Sequence, residues 1–282
     1  GFIEPTTYSN AAEEYDGSTW TSVTVAPYAV NNTAAFGTQT ASVFAGGDPG
    51  SKNTSLEYGG SGSWTAGGTL TTGRAQSGGA GLAPLSAGLI WGGTPLSTAV
   101  EEYNGTAWSG GTVLPAGVQF GGGAGTQTAA LSFGNFSGPT TITTATTKYD
   151  GTSWTAAPAL GSSQARSQGS GSQALALVAG GDYPHTTPVT TTQEFNQSTS
   201  VITAGAWASG GSMTQPGSGK SATGTQTAGL AWGGYVGSNT QTQVTEEYDG
   251  TSWTPGGSLP NQNGQGGIVG ASGFGTQTAA VS

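Results

Sequence analysis

The stretch Glu13-Glu14-Tyr15-Asp16-Gly17-Ser18-Thr19-Trp20 decides the fold, because the chain keeps returning to it. Copies run from Glu101 to Trp108, from Lys148 to Trp154 and from Glu246 to Trp253, with looser ones from Glu57 to Trp64 and from Glu194 to Trp207. The tryptophans that end these copies fall at 20, 64, 108, 154, 207 and 253, at spacings of 44, 44, 46, 53 and 46 residues, which makes six units. A second phrase lies between them. Gly37-Thr38-Gln39-Thr40-Ala41 runs on through Ser42-Val43-Phe44-Ala45 into Gly46-Gly47, and starts again at Gly125, Gly224 and Gly275. Further glycine pairs stand at Gly92-Gly93, Gly180-Gly181 and Gly233-Gly234, with Gly134-Asn135 in the third unit.

Units of about 40–50 residues built from short apolar runs and Gly-rich turns read as the blades of a β-propeller. Helical periodicity is absent, and the load of Gly, Thr and Ser disfavours helices. Each unit parses into four strands. In the first complete unit these cover about 31–36 and 40–45, then one ending at Tyr58 and one beginning at Trp64. Asp-Gly and Asn-Gly at the last turn supply the positive φ that a tight hairpin needs. The segment at about 265–282 carries the first two strands of a blade, and that at about 11–25 the last two. Joined, they make a shared closing blade, which leaves few exposed edges. The expectation is an all-β, six-bladed propeller of four antiparallel strands per blade, one domain over residues 1–282.

An apolar strand ending in Gly-Gly, followed by Tyr and then Trp, occurs as Gly46-Gly47, Tyr58 and Trp64, and as Gly92-Gly93, Tyr103 and Trp108. In this the chain resembles the kelch-type propellers, over its whole length. The resemblance implies an Arg at the start of each blade, a place that only Arg74 and Arg166 lie near. The repeated wording is also similar to that of repeat proteins encoded by marine bacteriophages, which implies a virion-associated or extracellular setting.

The 282 residues carry 5 Lys+Arg against 14 Asp+Glu, a net charge of -9. Neutralising a phosphate track needs clustered cations, and Lys52, Arg74, Lys148, Arg166 and Lys220 are scattered, so nucleic acid is not an expected partner. No apolar run is long enough to cross a bilayer. The chain starts at Gly1 with no visible signal peptide, which reads as processing or excision from something longer. There is no Cys, and His185 is the single His. A copper oxidase on this fold would need more histidines, and a six-bladed sialidase three arginines where this chain has two. The expectation is therefore no enzyme, no catalytic residue, no metal and no cofactor.

The residue before each blade aromatic is charged: Glu14, Glu57, Glu102, Lys148, Glu194 and Glu247. This pattern fits a cation-binding ring, solvated charge or hydrogen bonding on the outer half of each blade. In the unit ending at Trp207, about seven extra residues predict a protruding loop.

The turns within each strand pair repeat almost word for word, whereas the loops after the glycine pairs differ from blade to blade. Uniform turns read as scaffold and varied loops as recognition. The candidate ligand site is therefore on the loop face, near Phe136, Tyr183, His185 and Tyr235, whose rings would stack on sugars. Asp182 and Asn135 would accept hydroxyl hydrogen bonds. The partner expected is a surface glycan or a structural protein, with a purely structural or engineered propeller as the alternative.

Overall fold

The second strand of each blade is a short apolar run, Ala41–Ala45, Gly88–Trp91, Ala129–Phe133, Leu175–Ala179, Ala228–Trp232 and Ala279–Val281. A run that is apolar on both faces makes a strand covered on both sides, and propeller blades, stacked like slices, provide that cover. The computed structural model describes residues 2–3, 7–60, 62–138, 140–182, 187–197, 206–237, 240–260 and 273–281. It is all-β among these residues, with six four-stranded antiparallel blades.

The first blade runs outward from the axis as Ala34–Thr38, Ala41–Ala45, Ser55–Tyr58 and Trp64–Ala66. The other inner strands are Gly78–Gly79, Gly122–Thr126, Gln168–Gly171, Ser221–Thr225 and Phe274–Thr276. Each touches the next, and the last touches the first, so the six sheets close into a ring. Glycine lets these strands approach. A Cβ on Gly123 would lie 2.2 Å from the Gly79 carbonyl oxygen. The closing blade is shared as expected, with Ala279–Val281 from the C-terminal segment pairing with Ala12–Tyr15 from the N-terminal one through Ala280↔Tyr15 and Val281↔Glu14. The first inner strand begins at Ala34 rather than near 31. Asn32 has φ 53°, which breaks the strand, and Asn31 keeps one isolated bridge to Asp48.

The repeated text turns out to be blade-to-blade fastening, and every fastener points to the preceding blade. The Tyr58 hydroxyl donates to Glu14, Tyr103 to Glu57, Tyr248 to Glu194 and Tyr15 to Glu247, and Tyr149 donates to Glu102 at 3.0 Å. Each tryptophan N–H also reaches back: Trp64 to the Thr24 carbonyl at 2.8 Å, Trp108 to Ser55 at 3.3 Å, Trp253 to Thr192 at 2.9 Å. The Gln of Gly-Thr-Gln-Thr does the same. Gln127 donates to the carbonyls of Gly88 and Tyr103, and Gln277 to those of Gly229 and Tyr248. Tyr and Trp pack ring on ring, with Tyr103 and Trp108 centroids 4.8 Å apart. Each buried ring removes roughly 200 Å² from water, an upper bound of about 5 kcal/mol at about 25 cal/mol per Å².

Of the three readings of the acidic positions, hydrogen bonding on the outer half of the blades comes nearest, but the bonds run to tyrosines of the next blade rather than between strands of one blade. Burial, reinforced by the neighbouring carboxylate, pushes the phenols of Tyr15, Tyr58, Tyr103 and Tyr248 up to about 12. One interface departs from the rule. Where the third blade should offer an acid it has Lys148, and where the fourth should offer a hydroxyl it has Phe195. This interface lacks both the acceptor and the donor. Of the extra stretch, 196–202, Asn196 lengthens the third strand and pairs with Ala206, and 198–202 lie outside the described residues. The strands on either side of them still pair, Phe195 with Trp207.

Candidate functional site

Twelve residues after each repeat tryptophan the chain enters the axial end of the next blade: from Trp20 to Asn32, Trp64 to Gln76, Trp108 to Phe120, Trp154 to Arg166 and Trp207 to Gly219. The same step from Trp253 leads to Gln265, outside the described residues. All five have positive φ, at 53°, 60°, 54°, 51° and 62°. The kink turns each residue off the strand and toward the axis. Together with the residues that follow them, among them Ser77, Ser167 and Lys220, they line a cavity of about 470 Å³ that is open to solvent. Isolated bridges tie the preceding residue of each to the loop between the second and third strands: Asn31 to Asp48, Ala75 to Thr94, Gln119 to Phe136, Ala165 to Asp182 and Ser218 to Tyr235. The cavity therefore opens on the face with the varied loops.

These loop residues back the mouth residues, each pair with its own chemistry. Asn32 Nδ2 donates to Asp48 Oδ2 at 3.3 Å. The Thr94 hydroxyl donates to Gln76 Oε1. Phe120 meets Phe136 edge-on, with centroids 5.7 Å apart. Arg166 Nη1 donates to Asp182 Oδ2 at 2.8 Å. In the fifth blade the link is backbone alone, through the bridge from Ser218, next to Gly219, to Tyr235.

The two cations at the cavity are held differently. Lys220 is 1% exposed, with Nζ 3.3 Å from Glu246 Oε2, and Glu246 also accepts from the Thr214 backbone N–H at 2.7 Å. Burial pulls the Lys220 ammonium below its usual range, and Glu246 opposes this. Its stem lies over Gly217, where a Cβ would come within 2.2 Å of Lys220 Cε. In the second blade Arg74, 2.5 Å from Glu101, makes the comparable buried pair. Arg166 keeps a solvent side. Its side chain is 28% exposed, against 1% for Asp182, and its Cζ sits 4.8 Å from the Phe120 centroid and 5.5 Å from that of Phe136.

The sequence-predicted residues fall in and around this second layer. Asp182 and Phe136 stand directly behind Arg166 and Phe120. Phe136 is 1% exposed, so the expected stacking surface is not there: its backbone bridges both Gln119 and Ile142, which holds the ring inside. Asn135 is buried against Gly121, where a Cβ would lie 1.7 Å from its Oδ1. Asp182 is committed to Arg166. Tyr235 is half-buried and opens a short hairpin, Tyr235–Val236 with Thr240–Gln241. Tyr183 and His185 lie outside the described residues. Sequence reading missed Asn32, Gln76 and Phe120, and took Arg166 only as a possible blade-start arginine. Their signal was the constant step from the tryptophan.

No protein-family model matches this chain, and no curated protein matches it. Its shape does find company among 197 solved chains. One, from "Structure of YjhT", superposes with a TM-score of 0.71 at 12% sequence identity, covering 91% of this chain and 88% of that one. The fold is a six-bladed β-propeller. At this identity the likeness extends to the fold and no further.

Proposed function

We propose that this propeller is a kelch-type recognition module, virion-associated or extracellular, that takes a polar group of a surface glycan into its axial cavity and catalyses nothing. One observation carries the reading. Of the five described non-glycine residues with positive φ, four are Asn32, Gln76, Phe120 and Arg166, at one equivalent place in four blades. Such a backbone costs a side chain of order 1 kcal/mol or more, and glycine would avoid that cost. Strain kept at a cavity mouth, with different chemistry in each blade, supports selection for what those side chains touch. The cavity's two cations are each paired to a buried carboxylate, which supports binding rather than proton transfer.

The test is a glycan array probed with the wild-type chain and with the Asn32→Phe/Gln76→Phe variant. Phenylalanine already occupies this backbone conformation at Phe120, so the variant fills the cavity without a new kind of strain. The expected result is binding by the wild type and at least about a tenfold loss in the variant, with a folded circular-dichroism spectrum and a melting temperature lowered only by the loss of the hydrogen bonds with Asp48 and Thr94. Equal binding by both would overturn the axial site. Capture of a structural protein in place of any glycan, lost in the same variant, would keep the cavity and replace the ligand.

A further inference from the structure

We infer that the axial cavity selects a ligand bearing a single oxyanion, carboxylate or sulfate, and that Arg166 is the residue that reads it. This rests on the axial reading above and adds the ligand's charge to it. A guanidinium has five N–H donors in a rigid plane. Among the described residues Asp182 Oδ2 takes one of them, from Nη1 at 2.8 Å. Asp182 is itself fully buried, so it orients the arginine from behind without facing the ligand. Phe120 and Phe136 lie against the guanidinium at 4.8 and 5.5 Å and fix it further. What remains is an oriented donor edge on the 28% of the side chain that solvent reaches, at the cavity wall.

The other cation at the wall offers no such edge. Lys220 is 1% exposed and spent on Glu246. Arg166 is thus the one cation among the described residues that combines exposure with a place in this cavity. Charge-assisted bonds from a preoriented arginine are roughly twice as strong as neutral ones, and the fork suits planar or tetrahedral oxyanions. The net charge of -9 repels polyanions, which limits the ligand to one or a few charges delivered to this point. Asn32, Gln76 and Ser77 across the mouth supply amide and hydroxyl groups for the uncharged remainder.

The experiment uses matched pairs that differ in the acid alone: methyl β-glucoside against methyl β-glucuronide, and galactose against galactose 6-sulfate, presented on one array and titrated in solution. The wild type is expected to prefer the acidic member of at least one pair by about tenfold, and the pair concerned names the oxyanion. Arg166→Gln alone would strand buried Asp182, so the informative variant is Arg166→Gln/Asp182→Asn, checked for an unchanged fold by circular dichroism. It should bring the ratio close to one. A wild type that binds neutral members as well as acidic ones overturns the inference, as does a ratio that survives in the double variant. If neutral glycans bind and Asn32→Phe/Gln76→Phe abolishes that binding, the cavity stands and the oxyanion falls. If that variant binds as the wild type does, the cavity itself falls. Absence of any binding by the wild type overturns both.

Discussion

Two rings of residues run around this propeller, each built from one place per blade. In the outer ring, Tyr, Glu and Trp fasten each blade to the one before, and five of the six interfaces carry the same Tyr–Glu contact. In the ring at the mouth, Asn32, Gln76, Phe120, Arg166 and Gly219 share a backbone conformation and nothing else. A position that solves the same packing problem six times is free to repeat. A position that faces a ligand off the symmetry axis is not, since a small molecule presents a different group to each blade. Even the exception in the outer ring obeys its logic, for Lys148 and Phe195 stand at one and the same interface. The mouth has a parallel rule, in that Asn32, Gln76, Phe120 and Arg166 are each matched to a loop partner of their own blade.

The largest effect should come from breaking the outer ring. Trp108→Ala removes a side chain packed on Tyr103 and Phe36 and hydrogen-bonded to Ser55, and should cost about 3–5 kcal/mol in urea denaturation. A loss below about 1 kcal/mol would mean that the ring is held elsewhere. Alkaline pH should attack the same ring without mutation. Four of the tyrosines have phenols raised from 10.0 to about 12, and Tyr149 is raised as well. A raised folded-state value gives stability that is complete below pH 10 and disappears as pH climbs through 12. Lys220 and Arg74, pulled down by burial, work the other way, two groups against five. Melting temperature should be flat up to about pH 10 and then fall. Tyr58→Phe should start lower at pH 8 and fall less steeply. An equal slope in that variant would remove the phenol–carboxylate contact as the cause.

A smaller effect should come from repairing the exception. Lys148→Glu with Phe195→Tyr installs the sixth contact and should stabilise by about 1 kcal/mol, with most of the gain appearing as coupling between the two changes. Phe195→Tyr alone puts a hydroxyl beside a lysine, which can donate to it but cannot accept from it, and should gain less than the pair. Additive single effects in the cycle would show that the missing pair has no bearing on this interface.

The same contrast explains what could be read from the sequence. The blade count, the strand order and the shared closing blade were legible because the outer ring is written in identical words. The role of those words was less legible. Gln39, Gln127 and Gln277 sit in what reads as a turn, and nothing local says that the amide reaches a carbonyl in another blade. The candidate site was half legible. Phe136, Asp182 and Tyr235 stood out as varied loop residues and proved to be the support of the mouth. Asn32, Gln76 and Phe120 stayed hidden because they have no common identity, and only the constant step from each tryptophan marks them. Exposure is what the pattern could not give. Phe136 looks like a loop aromatic until the bridges to Gln119 and Ile142 close over it.

The smallest expected effect on stability is the sharpest test of the comparison. Gln76 has φ 60°, a conformation that suits glycine, and the fifth blade already has Gly219 there. Gln76→Gly relieves backbone strain of about 1 kcal/mol and gives up the hydrogen bond from Thr94, also worth about 1 kcal/mol. Thr94 is half-buried and can turn to water. The two terms should cancel to within about 0.5 kcal/mol, while ligand affinity falls because an amide has left the cavity wall. A change at the mouth would then cost binding and spare the fold, the reverse of a change in the outer ring such as Tyr103→Phe. A loss of 2 kcal/mol or more in urea denaturation would be too large for one half-buried hydrogen bond set against relieved strain. Gln76 would then be a fastener like Tyr103, its positive φ would need no ligand to explain it, and the case for recognition at the mouth would lose its main support.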